Sequence, residues 1–176
     1  MCRVYVERKA GFQNEAERIY SEVKDFLGIS GISGVRYLNR YDVENVSDEV
    51  AKAAAIRIFS EPQSDYCLYE KVDIANNAEI IWEFLPGQYD QRADSAEQCL
   101  SLLRASMASS VEVGTLPPKV RCAKMVILKG SVSAADVKKI EEYLINPVDS
   151  RLADDKKPET LEIKTEVPGD IPVVDG

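Results

Sequence analysis

An α+β fold, with a sheet packed against helices, is predicted on three observations. The first half of the chain alternates strand and amphipathic-helix patterns. The second half repeats that order. Glycine, proline or a helix-capping residue marks most of the junctions. In the first half, Arg3–Glu7 reads as a strand with Val4 and Val6 on one face, and Gly11 breaks it. Asn14 reads as the N-cap of a helix in which Ile19, Val23, Phe26 and Leu27 recur at helical spacing, with Gly28 as its C′ residue. A loop from Gly28 to Gly34 leads to a second strand, Val35–Val43. Ser47-Asp48 opens an alanine-rich helix to about Phe59, closed by Pro62, and Tyr66–Val72 is a third strand.

In the second half, Glu79–Leu85 is a strand ending at Pro86-Gly87, and Ser95-Ala96-Glu97-Gln98 fits a capping box. Ala96, Cys99, Leu100 and Leu103 give the apolar stripe of that helix. Residues 105–118 read as a loop and Val120–Leu128 as a strand. Ser133 to Asp136 starts a last helix with Val137, Ile140, Tyr143 and Leu144 on its inner face, stopped by Asn146-Pro147. The expected organisation is a two-lobed domain, 1–147, with halves of about 1–76 and 77–147. These similar strand-helix-strand-helix halves would pair their sheets about a pseudo-twofold axis, as the subunits of a dimer do. Residues 148–176 read as the start of a linker region, a proline-containing acidic tail that is partly extended. Leu161, Ile163 and Thr165 could form an edge strand in it.

The 176 residues carry a net charge of −8, and no basic run offers the concentrated cationic surface that nucleic acid needs. No apolar run approaches a membrane span and no signal-peptide core follows Met1, so the expected compartment is the cytoplasm. Cys2, Cys67, Cys99 and Cys122 lack zinc spacing. The last three lie in apolar patterns, as buried free thiols do. There is no histidine, which excludes Ser-His-Asp and Cys-His catalysis within the chain.

The segment richest in chemistry is Pro86-Gly87-Gln88-Tyr89-Asp90-Gln91-Arg92-Ala93-Asp94-Ser95-Ala96, between a strand and a helix. Gly87 permits a backbone turn that a Cβ resists. Arg92 is suited to clamp a carboxylate or phosphate. Asp90, Asp94 and Glu97 could act as acid-base groups or hold magnesium beside phosphates. An ordinary polar loop before a capped helix accounts for the same residues. Asn39-Arg40-Tyr41-Asp42 is a second polar cluster, Phe59 to Pro62 a third and Asn146 to Arg151 a fourth. Trp82 reads as core or interface packing. From the residues alone, Gly87, Gln88, Asp90, Gln91, Arg92, Asp94, Ser95, Asn39, Arg40 and Asp42 are candidate binding residues. None is assigned a catalytic or metal-ligating role.

These clusters, with Tyr5-Val6-Glu7, Gly11-Phe12 and Lys157 to Leu161, make the chain resemble the N-terminal region of phosphoribosylformylglycinamidine synthase, a glutamine-dependent amidotransferase of purine biosynthesis. Pro86 to Cys99 is the most specific part of the likeness. The resemblance implies a small-subunit-like, fused-dimer domain. It implies docking between the synthetase and glutaminase parts of one enzyme, with help in shaping the ammonia route. It also implies an enzyme that, as a whole, is an ATP- and magnesium-using ligase. This segment holds neither the glutaminase nucleophile nor the ATP site, so no catalytic residue and no cofactor is carried over to it. Two rivals stand beside this reading: a free-standing pseudo-dimeric regulator that binds a small ligand, and an independent enzyme using Asp90, Asp94 and Arg92.

Overall fold

The computed structural model describes residues 1–107, 116–158, 160 and 161. Its elements run β1 (Cys2–Arg8), α1 (Asn14–Ser21, continued by a π turn over Glu22–Phe26), β2 (Ile32–Glu44), α2 (Asp48–Arg57), β3 (Asp65–Tyr69), β4 (Ala78–Phe84), α3 (Gln91–Met107), β5 (Lys119–Gly130), α4 (Ala134–Leu144) and β6 (Ser150–Leu152). The fold is α+β. Six strands form one antiparallel sheet in the order β3-β1-β2-β5-β4-β6. The long strands β2 and β5 lie side by side at its centre.

The same backbone geometry occurs twice. The Lys9 N–H donates to Ser64 O at 2.8 Å, and the Leu85 N–H donates to Asp149 O at 2.8 Å. Phe12 N–H to Lys9 O has its counterpart in Gln88 N–H to Leu85 O. Gly11 and Gly87 follow at φ of 90° and 89°, in the left-handed region that glycine enters without a Cβ clash. The turn after each half's second helix also matches. Ser64 and Asp65 N–H groups donate to Glu61 O, as Asp149 and Ser150 N–H groups donate to Asn146 O. Ser47 and Ser133 each cap the helix that follows, Ser133 within a full capping box.

Helices cover one face of the sheet as two pairs. Ile19 and Val23 of α1 pack with Ile140 of α4 over Ile80, Val126 and Leu128. Val50 and Ala54 of α2 pack with Ala93, Ala96 and Leu100 of α3 over Val4, Val43 and Val120. The opposite face carries Tyr5, Leu38, Ile81, Met125 and Ile127, against which Val72, Ile74 and Ala153 pack from the connecting segments.

Several expectations are corrected. Gln13, not Asn14, occupies the α1 N-cap, and no side chain caps it. Asn14 is the first helical residue. Phe26 is 74% exposed, because the π turn, in which Leu27 N–H bonds Glu22 O, rotates the last residues away from the stripe begun by Ile19 and Val23. Ser95 and Gln98 form no capping box. Helix α3 starts five residues earlier, with Asp90 Oδ1 accepting from the Ala93 N–H at 3.1 Å. The earlier start adds Ala93 to the buried face and leaves Cys99 exposed beside it. Cys67 and Cys122 are partly buried. Strand β2 begins at Ile32, inside the expected Gly28–Gly34 loop, since Ile32 bonds to Gly130 on β5. Helix α3 runs to Met107, into the expected 105–118 loop, of which 108–115 lie outside the described residues. Strand β6 was not expected. It lies in the charged run that reads as the start of a linker, yet its backbone pairs with β4. Leu161 is buried without belonging to a strand, and the rest of the expected edge strand lies outside the described residues.

Candidate functional site

Between the two helix pairs the sheet's helix face lies open as a cleft. Alternation along β2 places Tyr37, Asn39 and Tyr41 on this floor, joined by Val6 of β1, Trp82 of β4, and Cys122 and Lys124 of β5. Arg18 and Glu15 of α1 and Arg92 and Ser95 of α3 form its walls. Two cavities fill the cleft, of about 720 Å³ and about 740 Å³, and Asn39 and Arg92 line both.

Arg92 is the group the sequence singled out and the fold places at the junction. Its Nη1 donates to the Tyr41 hydroxyl at 3.4 Å, and among the described residues it makes no ion pair. Burial opposes its charge, but the Tyr41 and Cys122 side chains beside it outweigh that and hold the guanidinium above its ordinary value. Burial raises the Tyr37 hydroxyl to about 12, with Glu15 adding to it and Arg92 and Arg18 working against it. Burial first, and Asp90 second, raise the Cys122 thiol far out of the neutral range, so it stays protonated and is a poor nucleophile. Tyr41 stacks on Phe59 with ring centroids 4.3 Å apart, which fixes the hydroxyl that Arg92 meets.

The turn before α3 stands at the mouth of the cleft. Gly87 makes the turn, Gln88 and Gln91 are exposed, and Tyr89 is 71% exposed with its hydroxyl donating to Asp94 Oδ2 at 3.2 Å. Asp94 also accepts from Gln98 Nε2 at 3.0 Å, and Glu97 accepts the Val120 N–H at 2.9 Å, tying α3 to β5. These carboxylates are therefore engaged in local structure. Among the described residues no three His, Cys, Asp or Glu side chains are grouped to hold a metal ion.

The second predicted cluster is split by the pleat. Asn39 faces the cleft, whereas Arg40 and Asp42 point to the opposite face and are 3% and 1% exposed. There Arg3 donates through Nε to Asp42 Oδ1 at 2.7 Å and through Nη2 to Oδ2 at 3.0 Å. Arg40 Nε lies 3.9 Å from Asp42 Oδ2. Arg3 Nη2 also donates to the Lys156 carbonyl at 3.1 Å and Arg40 Nη1 to the Asp154 carbonyl at 2.8 Å. Burial opposes the Arg3 charge, and Asp42 outweighs it, raising the guanidinium above its ordinary value.

Sequence reading found Asn39 and Arg92 but missed the floor residues Tyr37, Cys122 and Lys124, the wall residue Arg18, and Arg3. The alternation of β2 contained the signal for Tyr37; nothing local to α1 pointed Arg18 at α3. No protein-family model matches this chain, and no curated protein matches it significantly. Among the described residues no helix is long and apolar enough to cross a membrane.

Proposed function

We propose that this chain is a docking domain of a phosphoribosylformylglycinamidine synthase, bridging the glutaminase and synthetase parts and helping to shape the ammonia route between them. Its two halves act as a fused dimer of small-subunit-like units. In support, each half has the order β-α-β-α-β, the sheet order is mirrored about the β2-β5 pair, and matching turns carry matching hydrogen bonds. The observation that carries the docking reading is the cleft mouth. Arg92, a guanidinium without a carboxylate partner among the described residues, lines the same cavity as an exposed Tyr89, and arginine and tyrosine are among the residues that most often anchor interfaces. In the whole enzyme ATP, magnesium and the glutaminase nucleophile belong to other parts; this domain supplies position.

The test is trans-complementation. A synthase lacking this segment is assayed for glutamine-dependent amidine formation with and without the chain. Restored activity, weakened by Arg92→Ala at unchanged fold, is the expected result. Absence of both binding and rescue, with both pieces folded, would favour the second reading, a free-standing ligand-binding module. The cleft volumes lend that reading its own support, since each is of the size that takes a small molecule.

A further inference from the structure

On the sheet face away from the helices, a cavity of about 410 Å³ is lined by Arg40 and Asp42 of β2, Glu83 of β4, Arg121 of β5, Arg151 of β6, and Asp154 and Lys156 of the segment that follows. Its charges do not balance within the chain. Arg151 pairs with Glu83 at 2.9 Å. Asp42 is taken side-on by Arg3, both oxygens being used. Arg40 lies 3.9 Å from Asp42 Oδ2 and donates Nη1 to the Asp154 carbonyl, but its buried Nε has no hydrogen-bond partner. Arg121 lies next to Asp42 across the β2-β5 ladder, is partly exposed, and makes no hydrogen bond or ion pair among the described residues. The Lys156 ammonium is likewise unengaged; only its backbone bonds, through N–H to Asp154 Oδ1 and its carbonyl from Arg3. A buried, unsatisfied donor is costly, and native proteins leave few of them. On a chain of net charge −8, an open pocket that gathers Arg40, Arg121, Arg151 and Lys156 against Asp42, Glu83 and Asp154, with the Arg121 and Lys156 side chains unpaired among the described residues, is locally positive.

We propose that this pocket binds a phosphate-type dianion, Arg121 gripping its oxygens as a guanidinium fork, Arg40 adding its charge from the pocket floor and Lys156 a point charge. A tetrahedral dianion offers acceptors in several directions, which suits donors arriving from two strands and a loop better than a planar monoanion does. The pocket holds more than a bare phosphate, so it accommodates a small phosphomonoester. The site is on the other side of the sheet from the docking cleft, and its success or failure is independent of that reading.

The test is a titration of the intact chain with inorganic phosphate and with glycerol phosphate, followed by phosphorus NMR line width at fixed ionic strength. Saturable binding is expected. Arg121→Gln should weaken it by about tenfold, the worth of one charged hydrogen bond, and Lys156→Gln should weaken it less. Arg92→Gln, in the cleft, should leave it unchanged. Tighter binding of the ester than of the free anion would identify an organic phosphate as the ligand; the reverse would identify phosphate itself. Absent or unsaturable binding, equal binding of acetate, or affinity that both Arg121→Gln and Lys156→Gln leave intact at unchanged thermal melting would overturn the proposal.

Discussion

On the helix face of the sheet, Ile19, Val23, Leu100, Val126, Leu128 and Ile140 are sealed between layers with hardly a polar atom among them. On the other face, Arg3, Arg40 and Asp42 are as deeply buried, under a cover of connecting chain whose carbonyls accept from the guanidiniums. The first face is stabilised by area removed from water, at about 25 cal/mol per Å², and tolerates change in proportion to what is deleted. The second is all-or-none. A buried ion cluster gains little over apolar packing while intact, but loses heavily when one member is removed. The contrast teaches that equal burial does not mean equal sensitivity, and that the ionic face binds the 154–156 segment to the sheet by geometry rather than by bulk.

The sharpest way to break this contrast is Asp42→Ala. It leaves two guanidiniums buried without their carboxylate, and urea melts should show a loss of about 3–5 kcal/mol. Replacing Arg3, Arg40 and Asp42 together by methionine and leucine should recover most of that loss. A triple variant as unstable as the single one would show that shape, not charge, holds this face. Leu100→Ala, on the apolar face, should cost about 2–5 kcal/mol, set by the cavity it leaves. No combination of polar replacements should rescue it.

The two rival caps of α3 give a finer test. Asp90→Ala should lower stability by about 0.5–2 kcal/mol, whereas Ser95→Ala, on an exposed site inside α3, should change it by less than about 0.5 kcal/mol. The opposite ranking in thermal melts would restore Ser95 as the cap.

A smaller effect, in pH dependence, belongs to the ionic face. Burial first, then Asp155, raise the Glu79 carboxyl above its ordinary 4.5, with Arg40 opposing. A raised folded value means that protonation favours the fold. This contribution is complete below the unfolded value and is lost as the pH rises through the folded one. Glu79→Gln should therefore flatten the fall in stability from acid toward neutral pH; a variant with the parent's profile would remove Glu79 from the cluster. Smallest is Arg92→Ala, which should leave stability within about 0.5 kcal/mol while weakening assembly with a synthase partner, as read by co-elution. An Arg92→Ala variant that unfolds would make Arg92 a structural residue.

Much of the fold was readable along the chain because its signals are local. Ser47 and Ser133 are caps in sequence and in space. Gly87 and Gly28 turn where glycine alone turns easily, and the strand, helix, strand, helix order of both halves needed only periodicity. What failed did so where two local signals competed or where no local signal exists. Ser95 read as the cap, but the helix starts from Asp90, and Ala93 packs with α2. Phe26 followed the α-helical period until a π turn rotated it out. Ser150-Arg151-Leu152 has too little apolar content to declare a strand, and it becomes one because β4 has an open edge.

By itself, then, the sequence determined the α+β class, the doubled element order, the absence of histidine chemistry and the glycine turn at Gly87. These follow from composition and from contacts a few residues apart. Only the tertiary structure decided that Asn39 and Arg40 serve opposite faces in different company, that Arg92 overlooks a cleft floored by Tyr37 and Tyr41, and that Arg3, Arg40 and Arg121 converge around Asp42. Those relations join residues tens of positions apart. They are set by strand register and the pleat, which no local pattern encodes.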